Sequence, residues 1–315
     1  MSITVLKAGL QTTLQGAPYT GHRHLGMPAA GAADCLSLAL ANFLVAKSFG
    51  ESAIEIALTD ASFRFNEPCS LAVVGAAEYL RINGDEQPLH RTLEIKAGDR
   101  IDIGPSRPGC RTYLAISAAI HAESLLGGRS TYLAARLGGF QGRALGNGDV
   151  ITFSPDSPET AGERITPEHL RPHFSYDHVL RITPGPETDQ ISESLLDNLC
   201  LAPYIAGGRA NRMGIALEGT ALSASESADM PSAAVFPGTI QLPPSGQPYL
   251  LGPDAQTTGG YPRIAQVIRA DRHLIGQLAT GSRIRFVRTT PEKAMDIYRE
   301  KLSLLSPWLG RIKLW

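Results

Sequence analysis

Apolar and polar positions alternate along most of this chain with the period of a β-strand, and only in a few stretches with that of a helix. Ile3 and Val5 alternate around Thr4, which reads as a first strand. Gly9-Leu-Gln-Thr-Thr13 then reads as a polar turn, and residues 16–33 as a long loop rich in Gly and Pro. Asp34 stands where a helix cap belongs, ahead of Leu36, Leu40, Phe43 and Leu44 at helical spacing. After Gly50 the period returns to two. Ile54 and Ile56 flank Glu55, Phe63 and Phe65 flank Arg64, and residues 71–74 form a continuous apolar run. Asn83-Gly84 predicts a type I′ hairpin after Leu80-Arg-Ile82. Lys96-Ala-Gly-Asp-Arg100 predicts a second hairpin, between Leu93-Glu-Ile95 and Ile101-Asp-Ile103. Residues 113–116 and Val150-Ile-Thr-Phe153 add two further strands.

Residues 154 to about 178, with three prolines before Pro172 and few apolar groups, make the best linker candidate. Val179-Leu-Arg-Ile182 opens a second β-rich half. Gly185-Pro186 opens a helix with Ile191, Leu195 and Leu199 on one face. Ile284 and Phe286 mark the last strand. Thr290-Pro291-Glu292 starts a closing helix whose buried face is expected to be Met295, Tyr298, Leu302 and Leu305. A Gly-Asp or Gly-Ser turn leads into a strand at Gly98-Asp99, Gly148-Asp149 and Gly281-Ser282, which suggests two halves built alike, as paired barrels. The expected organisation is mainly β with a few peripheral helices, in two domains at 1–172 and 173–315.

Composition supports a β-rich class: 32 Gly and 22 Pro accompany only 6% aromatic residues among 315. The formal net charge of −1 gives no basis for nucleic acid or an acidic membrane surface as a partner. Cys35, Cys69, Cys110 and Cys200 are too scattered for a zinc knuckle or a Cys-x-x-Cys pair and read as reduced core residues. The start lacks a signal-peptide pattern and no apolar run is long enough to span a bilayer, so a cytoplasmic location is expected. No phosphate loop, dinucleotide fingerprint or His-Glu-x-x-His site occurs. His22 and His24 would point the same way if extended, but they lack further ligands, and no metal is expected.

The stretch with most chemical promise is Asp254-Ala-Gln-Thr-Thr-Gly-Gly-Tyr-Pro-Arg263, held between apolar runs at 238–243, 247–251 and 264–268. Gln256, Thr257 and Thr258 offer donors and acceptors, and Gly259-Gly260 could take positive φ and expose backbone amides. A tight structural turn is the competing reading. Arg129 in Gly-Gly-Arg-Ser-Thr and Arg212 in Asn-Arg-Met-Gly each present a guanidinium among small residues, suited to a carboxylate or phosphate, or to tying loop carbonyls together. Asp34 has a structural task as a cap, whereas none is visible for Asp254.

Three stretches then resemble the allophanate hydrolase subunit 2 family, which includes the C subunit of bacterial 5-oxoprolinase and half of the carboxyltransferase domain of urea carboxylase. The first is Leu25-Gly-Met-Pro with Gly31-Ala-Ala-Asp34. The second is Gly128-Arg-Ser-Thr131 with Gly138-Gly-Phe140. The third, longest, runs from Asn211-Arg-Met-Gly214 through Gly238-Thr-Ile-Gln241 and Pro244-Ser-Gly-Gln-Pro248 to residues 256–262. The resemblance implies two cyclophilin-like β-barrel domains and a partner similar to a sporulation-kinase inhibitor, the B-type subunit of 5-oxoprolinase, with the A-type subunit as a further partner. It implies ATP-dependent opening of 5-oxoproline to glutamate, a hydrolase reaction on a cyclic amide. The alternatives are biotin-dependent carboxylation of a urea-like amide, and a regulatory binding protein without its own chemistry. No Met-Lys-Met biotin-attachment site is present, so any biotin would arrive on a separate carrier. On this reading Asp254, Tyr261 and Arg212 are the expected catalytic residues. Gln256, Thr257, Thr258, Gly259, Gly260, Arg129 and Ser130 are expected to bind substrate.

Overall fold

A computed structural model describes residues 1–154, 162–191, 194–223, 230–312 and 314. The first half contains β1 (Ser2–Lys7), β2 (Gln11–Gln15), α1 (Cys35–Leu44), β3 (Ala53–Ala57), β4 (Ala61–Phe65), β5 (Cys69–Gly75), β6 (Leu80–Ile82), β7 (Asp85–Gln87), β8 (Leu93–Ile95), β9 (Arg100–Ile103), β10 (Arg111–Ile116) and β11 (Val150–Thr152). They form a six-stranded sheet, β11-β1-β4-β9-β6-β7, and a five-stranded sheet, β2-β3-β10-β5-β8. Strand alternation turns Ile3, Val5, Phe63, Phe65, Ile101 and Ile103 of the first sheet toward Leu14, Ile54, Ile56, Leu71 and Leu114 of the second, and this is the core. The opposite face of the five-stranded sheet is covered by α1. Asp34 caps that helix, accepting from Leu36 N and Ser37 N. Apart from Phe43 every α1 residue is buried, because the C-terminal helix covers its outer side.

The second half contains β12 (Asp177–Pro184), α2 (Thr188–Ile191), α3 (Leu195–Leu201), β13 (Tyr204–Asn211), β14 (Gly214–Glu218), β15 (Ala233–Ala234), β16 (Thr239–Gln241), β17 (Tyr249–Leu251), β18 (Thr258–Gly259), β19 (Arg263–Val267), α4 (Arg272–Ile275), β20 (Arg283–Arg288) and α5 (Pro291–Leu309). Seven of these strands close a barrel, β12-β19-β16-β17-β14-β13-β20, around Leu180, Ile182, Tyr204, Leu217, Ile240 and Phe286. The chain is thus mainly β, with helices at the periphery.

Three local expectations change. Gly9-Leu-Gln-Thr-Thr13 runs into strand β2, not a turn, because Gln11, Thr12 and Thr13 pair with Ala57, Ile56 and Glu55 of β3. The turn at 96–100 joins no hairpin. β8 pairs with β5 and β9 with β4, so this turn carries the chain from one sheet to the other. By contrast Asn83 and Gly84 both adopt positive φ, 53° and 94°, and join paired strands β6 and β7. In α5, Leu305 is buried and Tyr298 and Leu302 partly so, but Met295 is 53% exposed. The helix leaves the barrel, and its later turns dock beside α1. Of the linker candidate, residues 155–161 lie outside the described residues. The part that follows lies on the first half, with Thr166 N donating to His90 O at 2.9 Å.

Candidate active site between the two halves

Glu55 lies in the middle of β3, an interior strand with every residue buried. A carboxylate there needs partners, since an unpaired buried charge is costly. The register supplies one: Tyr113 on β10 sits directly opposite Glu55, and its hydroxyl donates to Glu55 Oε2 at 2.7 Å. Arg111, two residues earlier on the same face, places Nε 3.3 Å from Glu55 Oε1.

The second half delivers the next partner. Arg212 follows β13 in a turn where Asn211 Oδ1 accepts from Met213 N at 2.7 Å. Its Nη1 donates to Glu55 Oε1 at 2.7 Å, and its Nε and Nη2 fork onto Asp254 at 2.9 and 2.8 Å. Nη2 also donates to Gly31 O at 2.5 Å. Gln277 extends the network. It accepts from Cys110 N and Arg111 N, both at 2.9 Å, and donates to Asp34 Oδ2 at 2.7 Å. Asp34 N in turn donates to Tyr113 OH at 2.8 Å. Two carboxylates, Glu55 and Asp254, are thus matched by two arginines across the boundary between the halves.

Burial opposes the charge of Arg212, but Asp254 and Glu55 more than offset it and hold the guanidinium charged. Burial likewise works against the Glu55 carboxylate; Arg212 and Arg111 outweigh it and keep Glu55 below the usual range. Asp254 is pushed up by burial, with Glu55 adding to the push and the Arg212 fork pulling back.

The sequence-predicted residues fall into three places. Arg212 and Asp254 meet, but each occupies the other: Asp254 is 3% exposed with both oxygens on Arg212. Gln256, Thr258 and Tyr261 are exposed on the outer stretch that follows. There β18 pairs with β15, and Val235 N donates to Thr257 O at 3.0 Å. Neither Gly259 nor Gly260 has positive φ; at Gly259 a Cβ would lie 2.6 Å from Gln241 Nε2, which donates to Tyr261 O. Arg129 and Ser130 lie elsewhere. Arg129 is exposed, 3.8 Å from Glu51, beside a cavity of about 230 Å³ lined also by Ala17 and Ser52. Ser130 is fully buried, accepting from Gly16 N and donating to Ala17 O, so its hydroxyl is committed to the loop. His22 precedes a 3-10 turn at Arg23–Leu25 and His24 lies within it, so the two do not form an extended run.

Two cavities flank the buried network and share Ala33, Gly252, Pro253 and Ile275 as walls. One, about 260 Å³, reaches Arg111 and Arg212. The other, about 290 Å³, is walled by Tyr19, Ala30, Phe236 and Leu251 and carries Arg23, Arg269 and Arg272. Sequence reasoning passed over Glu55, Arg111, Tyr113, Gln277 and these three arginines. An acid inside the apolar run Ala53-Ile-Glu-Ile-Ala57 was the available signal, since such a residue in a doubly covered strand needs a cationic partner.

The carboxyltransferase domain family, subdomain A and B, matches residues 25–288. The chain is 32% identical to the 5-oxoprolinase C subunit of Escherichia coli over 302 residues, 95% of each chain. It is 30% identical to the 5-oxoprolinase C subunit of Haemophilus influenzae, over 95% of this chain and 94% of that protein. The crystal structure of Kluyveromyces lactis urea carboxylase superposes with a TM-score of 0.91 at 26% identity, over all of this chain but only 30% of that one. With its sheets, its barrel and its length matched in this way, the chain belongs to the family of carboxyltransferase subdomains A and B.

Proposed function

We propose that this chain is the C-type subunit of a 5-oxoprolinase, a non-autonomous component that acts with a B-type, kinase-inhibitor-like partner, and with an A-type partner, to open 5-oxoproline to glutamate at the expense of ATP. The observation that carries the reading is identity of 32% along 95% of both this chain and a 5-oxoprolinase C subunit. The matched urea-processing protein is a larger chain, of which this one spans 30%.

The chemistry fits the setting. A lactam is an unreactive amide, and ring opening needs its oxygen activated and the developing charge met by fixed donors. ATP supplies that activation when bound. On this reading the Arg212–Asp254 pair is a clamp that fixes Pro253 and the stretch after it, not the group that meets substrate. Gln256, Thr257, Thr258 and Tyr261, following the clamp, offer donors and acceptors for the lactam N–H and C=O or for the B-type partner.

Co-expression with the B-type and A-type partners tests this. The expected result is a stable complex with 5-oxoproline-dependent ATP hydrolysis and glutamate release. Bicarbonate-dependent turnover inhibited by avidin would replace this reading with carboxyl transfer to an amide, which the fold shared with urea carboxylase favours as the second reading. A complex without substrate-stimulated turnover would make the chain a regulatory binding partner.

A further inference from the structure

The 290 Å³ cavity between the long first-half loop and the barrel has a chemical imbalance. Its walls are largely apolar, formed by Ala30, Phe236, Leu251 and Ile275, yet three arginines enter it. Among the described residues, no acidic side chain lines it. Arg269 is engaged, its Nε donating to Leu314 O at 2.8 Å and its guanidinium lying 4.9 Å from the Tyr298 ring centre. The other two are not fully engaged. Arg272 Nε and Arg23 Nη1 are both buried without a hydrogen-bond partner among the described residues. Arg23 is held in place from its other side, by Nη2 to Val235 O and by stacking 5.0 Å from the Phe236 ring centre. The nearby acids are committed elsewhere, Asp271 to Arg181 and Asp254 to Arg212.

Buried guanidinium nitrogens are costly to leave unpaired. Burial depresses the pKa of both Arg23 and Arg272, and Arg269 adds to the effect at Arg272. Each cation is therefore short of negative charge. An anion placed here would satisfy two orphaned donors at once, and an apolar body behind it would cover the alanines and Phe236.

We propose that this cavity is a binding site for a compact organic anion, whose carboxylate or phosphoryl oxygens are taken by Arg23 and Arg272 while its apolar part lies against Ala30, Phe236 and Leu251. The volume suits a small ring acid; a whole nucleotide would extend beyond it, with only a phosphoryl end inside. The site does not depend on the 5-oxoprolinase reading; only the choice of 5-oxoproline as one probe does.

The test is calorimetric titration of the full chain with 5-oxoproline, with neutral 2-pyrrolidinone and with inorganic phosphate, at constant ionic strength. Wild type is expected to bind at least one of the two anions and to bind 2-pyrrolidinone more weakly than 5-oxoproline. Arg272→Met and Arg23→Met should each weaken the bound anion about tenfold or more. Arg272→Lys and Arg23→Lys serve as second variants should the Met forms not fold, and are expected to retain an intermediate affinity because the charge stays while the fork is lost. Arg64→Met, on the exposed outer face of β4, should change nothing. Binding of phosphate alone assigns the site to a phosphoryl group, and binding of 5-oxoproline alone to a carboxylate. Unchanged affinity in the variants at both positions, or no binding of either anion, overturns the proposal. Because binding is read without turnover, absence of oxoprolinase activity would leave this result standing.

Discussion

Replacing Arg212 by Met keeps roughly the length and apolar stem of the side chain while removing the charge and four hydrogen bonds, two to Asp254, one to Glu55 and one to Gly31 O. The losses are unequal. Glu55 retains Tyr113 OH at 2.7 Å, Ala33 N at 3.0 Å and Arg111 at 3.3 Å. Asp254, 3% exposed, loses the fork that held both its oxygens. Breaking a buried pair from one side costs about 3–5 kcal/mol, mostly because of the charge left behind. The expected loss in urea unfolding at pH 8 is therefore about 3–5 kcal/mol, a large share of an ordinary domain's stability. Two signatures separate this cause from simple loss of packing. Adding Asp254→Leu to Arg212→Met should recover about 2 kcal/mol or more, since the stranded charge is then gone. The variant's deficit should also shrink on acidification. Burial already holds the folded pKa of Asp254 above its unfolded value, and loss of the Arg212 fork raises it further, so the variant's folded state takes up the proton at higher pH than the wild type's. The penalty is then full above the folded pKa and is relieved as pH falls through it. A loss below about 1 kcal/mol, or additive and pH-independent effects of the two substitutions, would refute the reasoning.

Other perturbations follow from the same boundary and its surroundings. Gly276→Ala would place a Cβ 2.4 Å from the backbone of Ala33, where the two halves touch; overpacking of about 1–3 kcal/mol is expected, read as a lower urea midpoint. Tyr113→Phe removes the hydroxyl that donates to Glu55 and accepts from Asp34 N, and should cost about 1–3 kcal/mol by the same measurement. His90 is buried and its pKa falls from 6.5 to about 4, through burial first and Arg171 second. Between those values the unfolded chain binds the extra proton. The stability owed to neutral His90 is thus complete above pH 6.5 and falls away toward about pH 4, by on the order of 3 kcal/mol. Urea midpoints of wild type and His90→Phe, measured from pH 7.5 to 4.5, should shift against the wild type as pH drops; parallel curves would count against this.

The sequence by itself determined the elements whose cause is local. Strand alternation at Ile3, Phe63 and Ile284, the Asp34 cap, and the Asn83-Gly84 turn each depend on residues within a few positions, and each occurs as read. Residue strings also carried the family; in Asn211-Arg-Met-Gly214, Asn211 Oδ1 accepts from Met213 N, and a Cβ at Gly214 would lie 2.6 Å from Leu250 O. What needed the tertiary structure was everything set by a distant partner. Whether 96–100 closes a hairpin depends on which strands β8 and β9 pair with, and the turn itself is the same either way. Whether Met295 is buried depends on where α5 docks. The largest case is Arg212. Its guanidinium among small residues reads as an open fork, and only the folded chain brings Glu55, 157 positions away, and Asp254, 42 positions away, onto its nitrogens. A charged side chain carries the same pattern in the sequence whether its partner is a ligand or another part of the chain. Burial and neighbouring charge separate the two cases: all three guanidinium nitrogens of Arg212 meet protein acceptors, while Arg23 and Arg272 keep nitrogens unpaired among the described residues.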